Sequence, residues 1–361
     1  MSRVAVLAAG GTGGHLFPAQ ALAEELTRRG WRVVLATDRR GDQYAHDFPA
    51  EERLALEAAT ASNPIQMVGA VFRILAGVVQ ARSAFARLKP SVVVGFGGYP
   101  SIPALLAAAT TGRPIIIHEQ NAVLGRSNRA LARYARKIAA AFPTLERVPA
   151  GLKDRIEVVG NPVRTDIQAL TKRTYSVGKD RLHVLITGGS QGARILSETA
   201  PLALAQIAER LRDRLDVHQQ SRPELLDSTR EVYVDAAIQA EVAPFFRDMA
   251  GRLGQAHLVI GRAGASTCSE LAVAGLPSIL VPLKIATDDH QRLNAKALTD
   301  AGAAMVILED DLTVDRLSEA VQAMLDDPIA LERRAAAARS VGIPDAANRL
   351  ADLVEAAARP A

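Results

Sequence analysis

At 361 residues the chain is too long for one ordinary core and suits two domains, while 48% apolar and 4% aromatic residues fit α/β packing rather than disorder. Its one cysteine, Cys268, excludes an intrachain disulfide and a cysteine metal cluster, and points to a reducing compartment. The net charge of +4 hides an asymmetry: residues 1–160 carry 20 Lys and Arg against 12 Asp and Glu, a surplus of +8, whereas residues 161–361 carry 23 against 27, or −4. A basic first half favours an anionic partner or surface.

The first predicted element is the apolar strand Val4-Ala5-Val6-Leu7-Ala8, entered directly from Met1-Ser2-Arg3 with no signal peptide expected. Gly10-Gly11-Thr12-Gly13-Gly14-His15 then forms a glycine turn opening a helix. Such a turn lets backbone approach a phosphate and aims free N–H groups and the helix dipole at an anion. The next strand, Val33 to Thr37, ends at Asp38, which with Gly11 and Gly13 partly mimics a dinucleotide fingerprint. Leu16 fills the place of the third glycine, so a nicotinamide oxidoreductase is a runner-up and a non-catalytic nucleotide-sugar sensor a third reading.

From Ile65 to Leu88 the pattern is helical, with apolar residues (Met67, Val68, Val71, Phe72, Ile74, Leu75, Val78, Val79) on more than one face. Arg73 lies inside the run and Arg82, Arg87 and Lys89 follow, which argues against a bilayer span. Two readings stay open: a helix lying on an anionic membrane surface, or one buried against the first sheet. The strand Val92-Val93-Val94-Gly95 leads to Gly97-Gly98-Tyr99, and Gly112-Arg113-Pro114 leads to the strand Ile115-Ile116-Ile117. His118-Glu119-Gln120-Asn121 follows as a loop of four hydrogen-bonding side chains at one strand end. Arg126, Arg129, Arg133, Arg136 and Lys137 come without interleaved aromatic residues, so no nucleic-acid partner is expected. After the strand Ile156 to Val159, Gly160-Asn161-Pro162-Val163-Arg164 breaks regular structure as a linker and puts Arg164 at a crevice between domains.

The pattern then repeats. His183 to Thr187 is an apolar strand, and Gly188-Gly189-Ser190-Gln191-Gly192-Ala193 a second turn, with Ala193 where the first copy has His15, a side chain able to move protons near neutral pH. Leu258-Val259-Ile260-Gly261 answers the strand at Val92, and Gly275-Leu276-Pro277 answers Gly112-Arg113-Pro114. Between them Gly264-Ala265-Ser266-Thr267-Cys268-Ser269-Glu270 opens a helix whose amides suit a phosphate or a sugar hydroxyl; Glu270 suits a ribose diol, or is a plain first-turn acid. Asp288-Asp289-His290-Gln291 has too few spaced ligands for a metal, and Cys268 among small residues reads as buried. Two similar α/β domains are therefore expected, 1–160 and 161–344, with a closing helix in 345–361, around Ala347 to Ala358, able to pack on the first or on the second.

Gly10 to His15, Gly97-Gly98-Tyr99, His118 to Asn121, Gly160 to Arg164, Gly188 to Gly192 and Asp288 to Gln291 resemble, in order and rough spacing, the motifs of the MurG family. The resemblance spans nearly the whole chain. It implies a GT-B fold, two Rossmann-like parallel-sheet domains facing across a cleft. It also implies an inverting transfer of N-acetylglucosamine from UDP-N-acetylglucosamine to the C4 hydroxyl of the muramyl sugar of lipid I (undecaprenyl-pyrophosphoryl-MurNAc-pentapeptide), giving lipid II in peptidoglycan synthesis. No cofactor or catalytic metal is implied. The expected setting is peripheral, on the cytoplasmic face of the bacterial inner membrane, where cell-wall synthesis proteins serving cell shape and division are possible partners.

Carried over by motif, Ser190 and Gln191 with neighbouring amides resemble the pyrophosphate cradle and Glu270 the ribose clamp, set in the helix start from Ala265 through Ser266, Thr267 and Cys268 to Ser269. Gln291 with His290 is similar to a sugar-hydroxyl contact, Arg164 to a nucleotide contact, and Phe246 to the residue whose backbone reads uracil. Thr12, Gly13, Gly14, Tyr99 and Asn121 would face the transferred sugar or the acceptor, with His15 as general base and His118 or Glu119 as alternatives. The chain departs from the family at His218-Gln219-Gln220-Ser221-Arg222, where His-Gln-x-Gly is usual, and at Leu54 to Ser62, where a Gly/Arg loop is usual.

Overall fold

The computed structural model describes residues 3–10, 13–38, 48–59, 64–178, 181–189, 192–211 and 214–359, with the side chains of 64–67 and 209–210 excepted. The described chain divides into two units, residues 1–164 with 344–361, and residues 165–343.

In the first unit, strands β1 (Val4–Ala8), β2 (Arg32–Thr37), β3 (Glu52–Ala55), β4 (Val92–Gly95), β5 (Ile115–Glu119), β6 (Lys137–Ala140) and β7 (Ile156–Val158) form one parallel sheet in the order β3-β2-β1-β4-β5-β6-β7. The second unit holds β8 (Leu182–Thr187), β9 (Leu215–Gln220), β10 (Gln239–Ala243), β11 (Leu258–Gly261), β12 (Ser278–Leu280) and β13 (Ala304–Val306), again parallel, in the order β10-β9-β8-β11-β12-β13. The expected pair of Rossmann-like units is thus present. In each, the first strand is central and the chain winds away from it in both directions, which makes the carboxyl ends of β1 and β4, and of β8 and β11, topological switch points.

Near-continuous apolar strands suit this layering because both faces of a parallel sheet are covered. Ala5, Leu7, Val33, Leu35, Val92 and Val94 pack into one core with the helix Gly13–Arg28, while Val4, Val6, Ala8, Val34 and Val93 pack into another with the helices Pro64–Leu88 and Ile102–Thr110. The first core also takes the helix Ala346–Ala357 through Leu350, Ala351, Leu353, Val354 and Ala357. Arg29 meets Asp352 at 2.6 Å and Glu355 at 2.8 Å, and the Trp31 indole N–H donates to Glu355 at 3.0 Å.

The helix Pro64–Leu88 is covered along one stripe only, so burial against the first sheet holds for that stripe. Ala70, Gly77, Ala81, Phe85 and Leu88 are buried along one stripe. A Cβ on Gly77 would stand 2.1 Å from the Glu57 carbonyl oxygen and 3.0 Å from Pro103, so a side chain there would push the helix off the Glu57 backbone. The opposite stripe stays bare, with Val68, Val71, Phe72, Leu75 and Val79 each at least half exposed. By length and composition alone the stretch Val68–Leu88 is apolar enough to cross a membrane, although only 22% of its most apolar window is buried.

Candidate active site

The sequence places the strand end before His118, but β5 continues to Glu119, because His118 pairs with Ala139 and Glu119 with Ala140 of β6. Both side chains are therefore fixed by the sheet, and both are buried. Glu119 has every acceptor direction filled. Oε1 accepts from the Asn121 N–H at 3.1 Å and its side-chain amide at 3.2 Å, and Oε2 from the Gly125 N–H at 2.9 Å and the Asn128 amide at 2.8 Å. That pattern ties down the loop after β5, and Asn121 with it; it leaves Glu119 no free lone pair for a substrate proton.

His118 is wholly buried, and desolvation pushes its pKa down to about 4 despite the partly compensating Gly160 carbonyl and with a small further push from His15. Its Nε2 lies 3.1 Å from that carbonyl and its Nδ1 2.9 Å from Gln120 Nε2. Gln120 Oε1 in turn lies 2.9 Å from Nδ1 of His15, in the first turn of the helix Gly13–Arg28. Of the three proton-transfer candidates only His15 is partly exposed. Tyr99, in the turn after β4, donates its hydroxyl to Asp38 at the end of β2 at 3.0 Å. Arg164 lies over the Phe17 ring at 5.7 Å. Gly13 and Gly14 open the helix, and Thr12 lies outside the described residues.

In the second unit the turn after β8 is a glycine requirement. A Cβ on Gly188 would come within 2.1 Å of the Ala193 nitrogen, and Gly189 and Gly192 have φ of +78° and +68°. Ser190 and Gln191 lie outside the described residues. Gln220, at the carboxyl end of β9, clamps what is described of the turn. Its Oε1 accepts from the Thr187 hydroxyl at 3.1 Å and the Gly188 N–H at 3.0 Å, and its Nε2 donates to the carbonyls of Gly189 at 2.8 Å and Pro244 at 3.2 Å. The segment that lacks the family glycine is well ordered by other means: Ser221 pairs its hydroxyl with Thr229 at 2.9 Å, and the Arg222 N–H donates to Ser197 at 3.1 Å. Two residues past Pro244, Phe246 is buried under the Arg252 guanidinium, 3.8 Å from its ring.

After β11, Gly264 starts the helix Ala265–Ala274 without a side-chain cap, so its first amides have no local acceptor of that kind. Ser266, Thr267, Ser269 and Glu270 are half-buried there, and the buried Ser266 hydroxyl has no protein partner. Ala265 and Cys268 face inward; the Cys268 thiol, 1% exposed, is pushed up to about 12 by burial, which makes it packing rather than a ligand contact. Gln291 accepts the Leu283 N–H at 3.0 Å, and Nδ1 of His290 lies 2.7 Å from the Thr287 carbonyl, so each is oriented by the loop after β12. That loop is held by Arg262, which donates to Val281 at 3.1 Å and forks onto Glu309 at 3.1 and 3.2 Å. Among the described residues no group of three His, Cys, Asp or Glu side chains is placed to hold a metal ion.

Sequence reasoning gave Arg262 and Glu309 no role, and quoted Gln120 and Gln220 without one. The signal available was polarity at strand ends: Gln219-Gln220 closes β9 and Arg262 follows β11, at the sheet edge where α/β ligands bind.

Two Rossmann-like units, the second with a glycine-dependent turn after β8 and a helix start without a side-chain cap after β11, suit the class of nucleotide-sugar glycosyltransferases. The family models agree: residues 5–140 match the glycosyltransferase family 28 N-terminal domain and residues 183–350 its C-terminal domain. The chain is 61% identical over 361 residues to the UDP-N-acetylglucosamine–N-acetylmuramyl-(pentapeptide) pyrophosphoryl-undecaprenol N-acetylglucosamine transferase of Caulobacter vibrioides, covering 99% of this chain and 100% of that one. It is 57% identical to the enzyme of the same name from Phenylobacterium zucineum, with the same coverage. The crystal structure of Acinetobacter baumannii MurG matches with a TM-score of 0.80 at 33% identity, over 98% of this chain and 99% of that one. The chain belongs to glycosyltransferase family 28 and, within it, to the MurG enzymes.

Proposed function

We propose that this chain moves N-acetylglucosamine from UDP-N-acetylglucosamine to the C4 hydroxyl of the muramyl sugar of lipid I, with inversion, giving lipid II for peptidoglycan synthesis. The observation that carries this reading is full-length 61% identity to an enzyme whose name states that donor and acceptor. The second unit is assigned the donor: the turn Gly188 to Gly192 for the pyrophosphate, with Ser190 and Gln191; the helix start Ala265 to Ser269 beside it; Glu270 for the ribose; the Phe246 backbone for uracil; His290 and Gln291 for sugar hydroxyls. Arg164 is assigned a nucleotide contact. The first unit is assigned the acceptor, through Thr12, Gly13, Gly14, Tyr99 and Asn121.

As the C4 oxygen attacks an oxocarbenium-like anomeric carbon it must lose a proton, while UDP departs as a stabilised anion that needs no strong acid. The part still required is a base on the acceptor side. His15 fits it, being partly exposed where His118 and Glu119 are buried and engaged with their neighbours. Helix N-termini at the donor add fixed positive potential where the diphosphate charge grows. The deciding experiment is transfer of labelled N-acetylglucosamine from its UDP donor onto a short-chain lipid I analogue. Product that requires both substrates supports the reading; donor hydrolysis or epimerisation without transfer overturns it.

We also infer a peripheral seat on the cytoplasmic face of the inner membrane, through the bare stripe Val68, Val71, Phe72, Leu75 and Val79. Exposed Arg73, Arg82, Arg87 and Lys89 along and after it, and the +8 charge of residues 1–160, suit anionic headgroups. A site at that surface would serve an undecaprenyl-linked acceptor and put the enzyme beside other cell-wall synthesis proteins, with consequences for cell shape and division.

A further inference from the structure

The hydrogen-bond chain behind His15 has a direction, and one atom fixes it. The Gly160 carbonyl can only accept, so the His118 Nε2 that faces it at 3.1 Å carries hydrogen. Neutral in its dry site, His118 then presents a lone pair at Nδ1, which receives the Gln120 Nε2–H at 2.9 Å. The Gln120 amide is oriented independently as well. Its Nε2 also donates to the His118 carbonyl at 3.2 Å, and the reversed amide would set oxygen against two acceptors. Gln120 Oε1 must therefore face His15, and the His15 Nδ1 at 2.9 Å must carry hydrogen. A neutral His15 keeps a single lone pair, at Nε2. Glu119 does not compete for the ring, since its oxygens are taken by Asn121, Gly125 and Asn128.

The space around Nε2 is kept open by two glycines. Gly97 and Gly98 adopt φ of +89° and +73°, and the Cβ atoms they lack would stand 3.4 Å from Cε1 and Cδ2 of His15, the two carbons flanking Nε2.

We propose that Gln120, backed by His118 and the Gly160 carbonyl, holds His15 in the Nδ1–H tautomer, so that Nε2 is the atom that takes the proton of the acceptor hydroxyl. Gln120 and His118 are positioning residues. The inference rests on the reading of His15 as base and adds which nitrogen acts and what selects it. As Nε2 gains its proton, the C4 oxygen gives its electron pair to the anomeric carbon, the bond to UDP breaks, and the imidazolium charge is met by Gln120 Oε1.

The test joins 15N NMR of the histidine rings, with His15 assigned through His15→Ala, to steady-state kinetics. The wild-type enzyme is expected to show His15 protonated at Nδ1 and bare at Nε2 near neutral pH. In Gln120→Leu the Nε2–H tautomer should appear, and kcat should drop by at least about tenfold while KM for the UDP donor stays within about twofold, since a wrong tautomer costs a serine-protease triad up to ~10⁴-fold. Gln120→Glu, whose protonated carboxyl donates its hydroxyl to His118 while its carbonyl oxygen faces His15 Nδ1, should keep the tautomer and recover most of the rate in that charge state; a merely structural gap would not be rescued that way. An Nε2–H tautomer in the wild-type enzyme, or an unchanged tautomer in a folded Gln120→Leu, overturns the relay and leaves the choice of base standing. Near-normal transfer by His15→Ala overturns the base itself, whatever the tautomer.

Discussion

Gln220, at the end of the neighbouring strand β9, holds Gly188 across 32 residues of sequence. Its amide oxygen accepts the Gly188 N–H at 3.0 Å while its amide nitrogen reaches the Gly189 carbonyl at 2.8 Å, so one side chain sets both peptides of the second glycine turn. The same nitrogen binds the Pro244 carbonyl, two residues before Phe246. The turn assigned to the pyrophosphate and the segment assigned to uracil thus share one strut. Gln220→Leu should leave the half-buried Gly188 N–H and Gly189 carbonyl without this partner, free the turn, and loosen UDP binding by about tenfold or more. Calorimetry with UDP checks this; unchanged affinity in a folded variant would leave Gln220 a core residue without bearing on the donor.

His15→Ala should lower kcat by roughly 10²- to 10⁴-fold, the range for a lost acid-base group, with donor affinity nearly preserved. Labelled-sugar transfer and UDP calorimetry on the same preparation separate the two effects. A loss of donor affinity equal to the loss of rate would place His15 in binding.

Phe72 and Leu75 are 69% and 54% exposed, so Phe72→Ser with Leu75→Ser should leave the unfolding temperature close to that of the parent. Sedimentation with anionic vesicles should fall sharply, and binding by the parent should weaken as salt rises. Vesicle binding that survives both substitutions moves the contact off this helix.

Acid should destabilise each unit through one buried histidine. Desolvation pushes His118 in the first unit and His257 in the second down to about 4, the second aided by the neighbouring His183. An unfolded histidine titrates near 6.5, so between these values the unfolded chain binds protons that the folded one refuses. Stability is therefore complete above about pH 6.5 and declines as pH falls to about 4, by on the order of 3 kcal/mol for the wholly buried His118 and by less for His257, where solvent screens part of the shift. Thermal unfolding across that range should slope downward with acid, and His118→Gln should flatten the slope for the first unit. A flat profile in the parent contradicts the burial argument.

The strands and twin turns were legible because buried parallel strands read as unbroken apolar runs, and His15 was legible by contrast with Ala193. Gln120 and Gln220 were not, since an amide's role depends on which end points where. For Gln120 that is decided by His118, itself fixed by the Gly160 carbonyl 42 residues further on, and for Gln220 by the turn 31 and 32 residues away. The polar loop expected at His118-Glu119 is strand because two alanines of β6 pair with it, a partnership that local composition does not announce. In the helix Pro64–Leu88 apolar residues on more than one face were visible; the covered face carries Gly77, whose missing Cβ leaves room for the Glu57 carbonyl and Pro103.

The helix Ala346–Ala357 completes a core whose other members all lie before residue 160. During synthesis every residue of the second unit emerges before the first unit can close. Until then the helix Gly13–Arg28 lacks the cover that the helix Ala346–Ala357 later provides. A nascent first unit is therefore an unfinished object for the whole time its successor is made, and a stop codon or a bulky fusion near residue 345 would damage the N-terminal unit while leaving 165–343 intact.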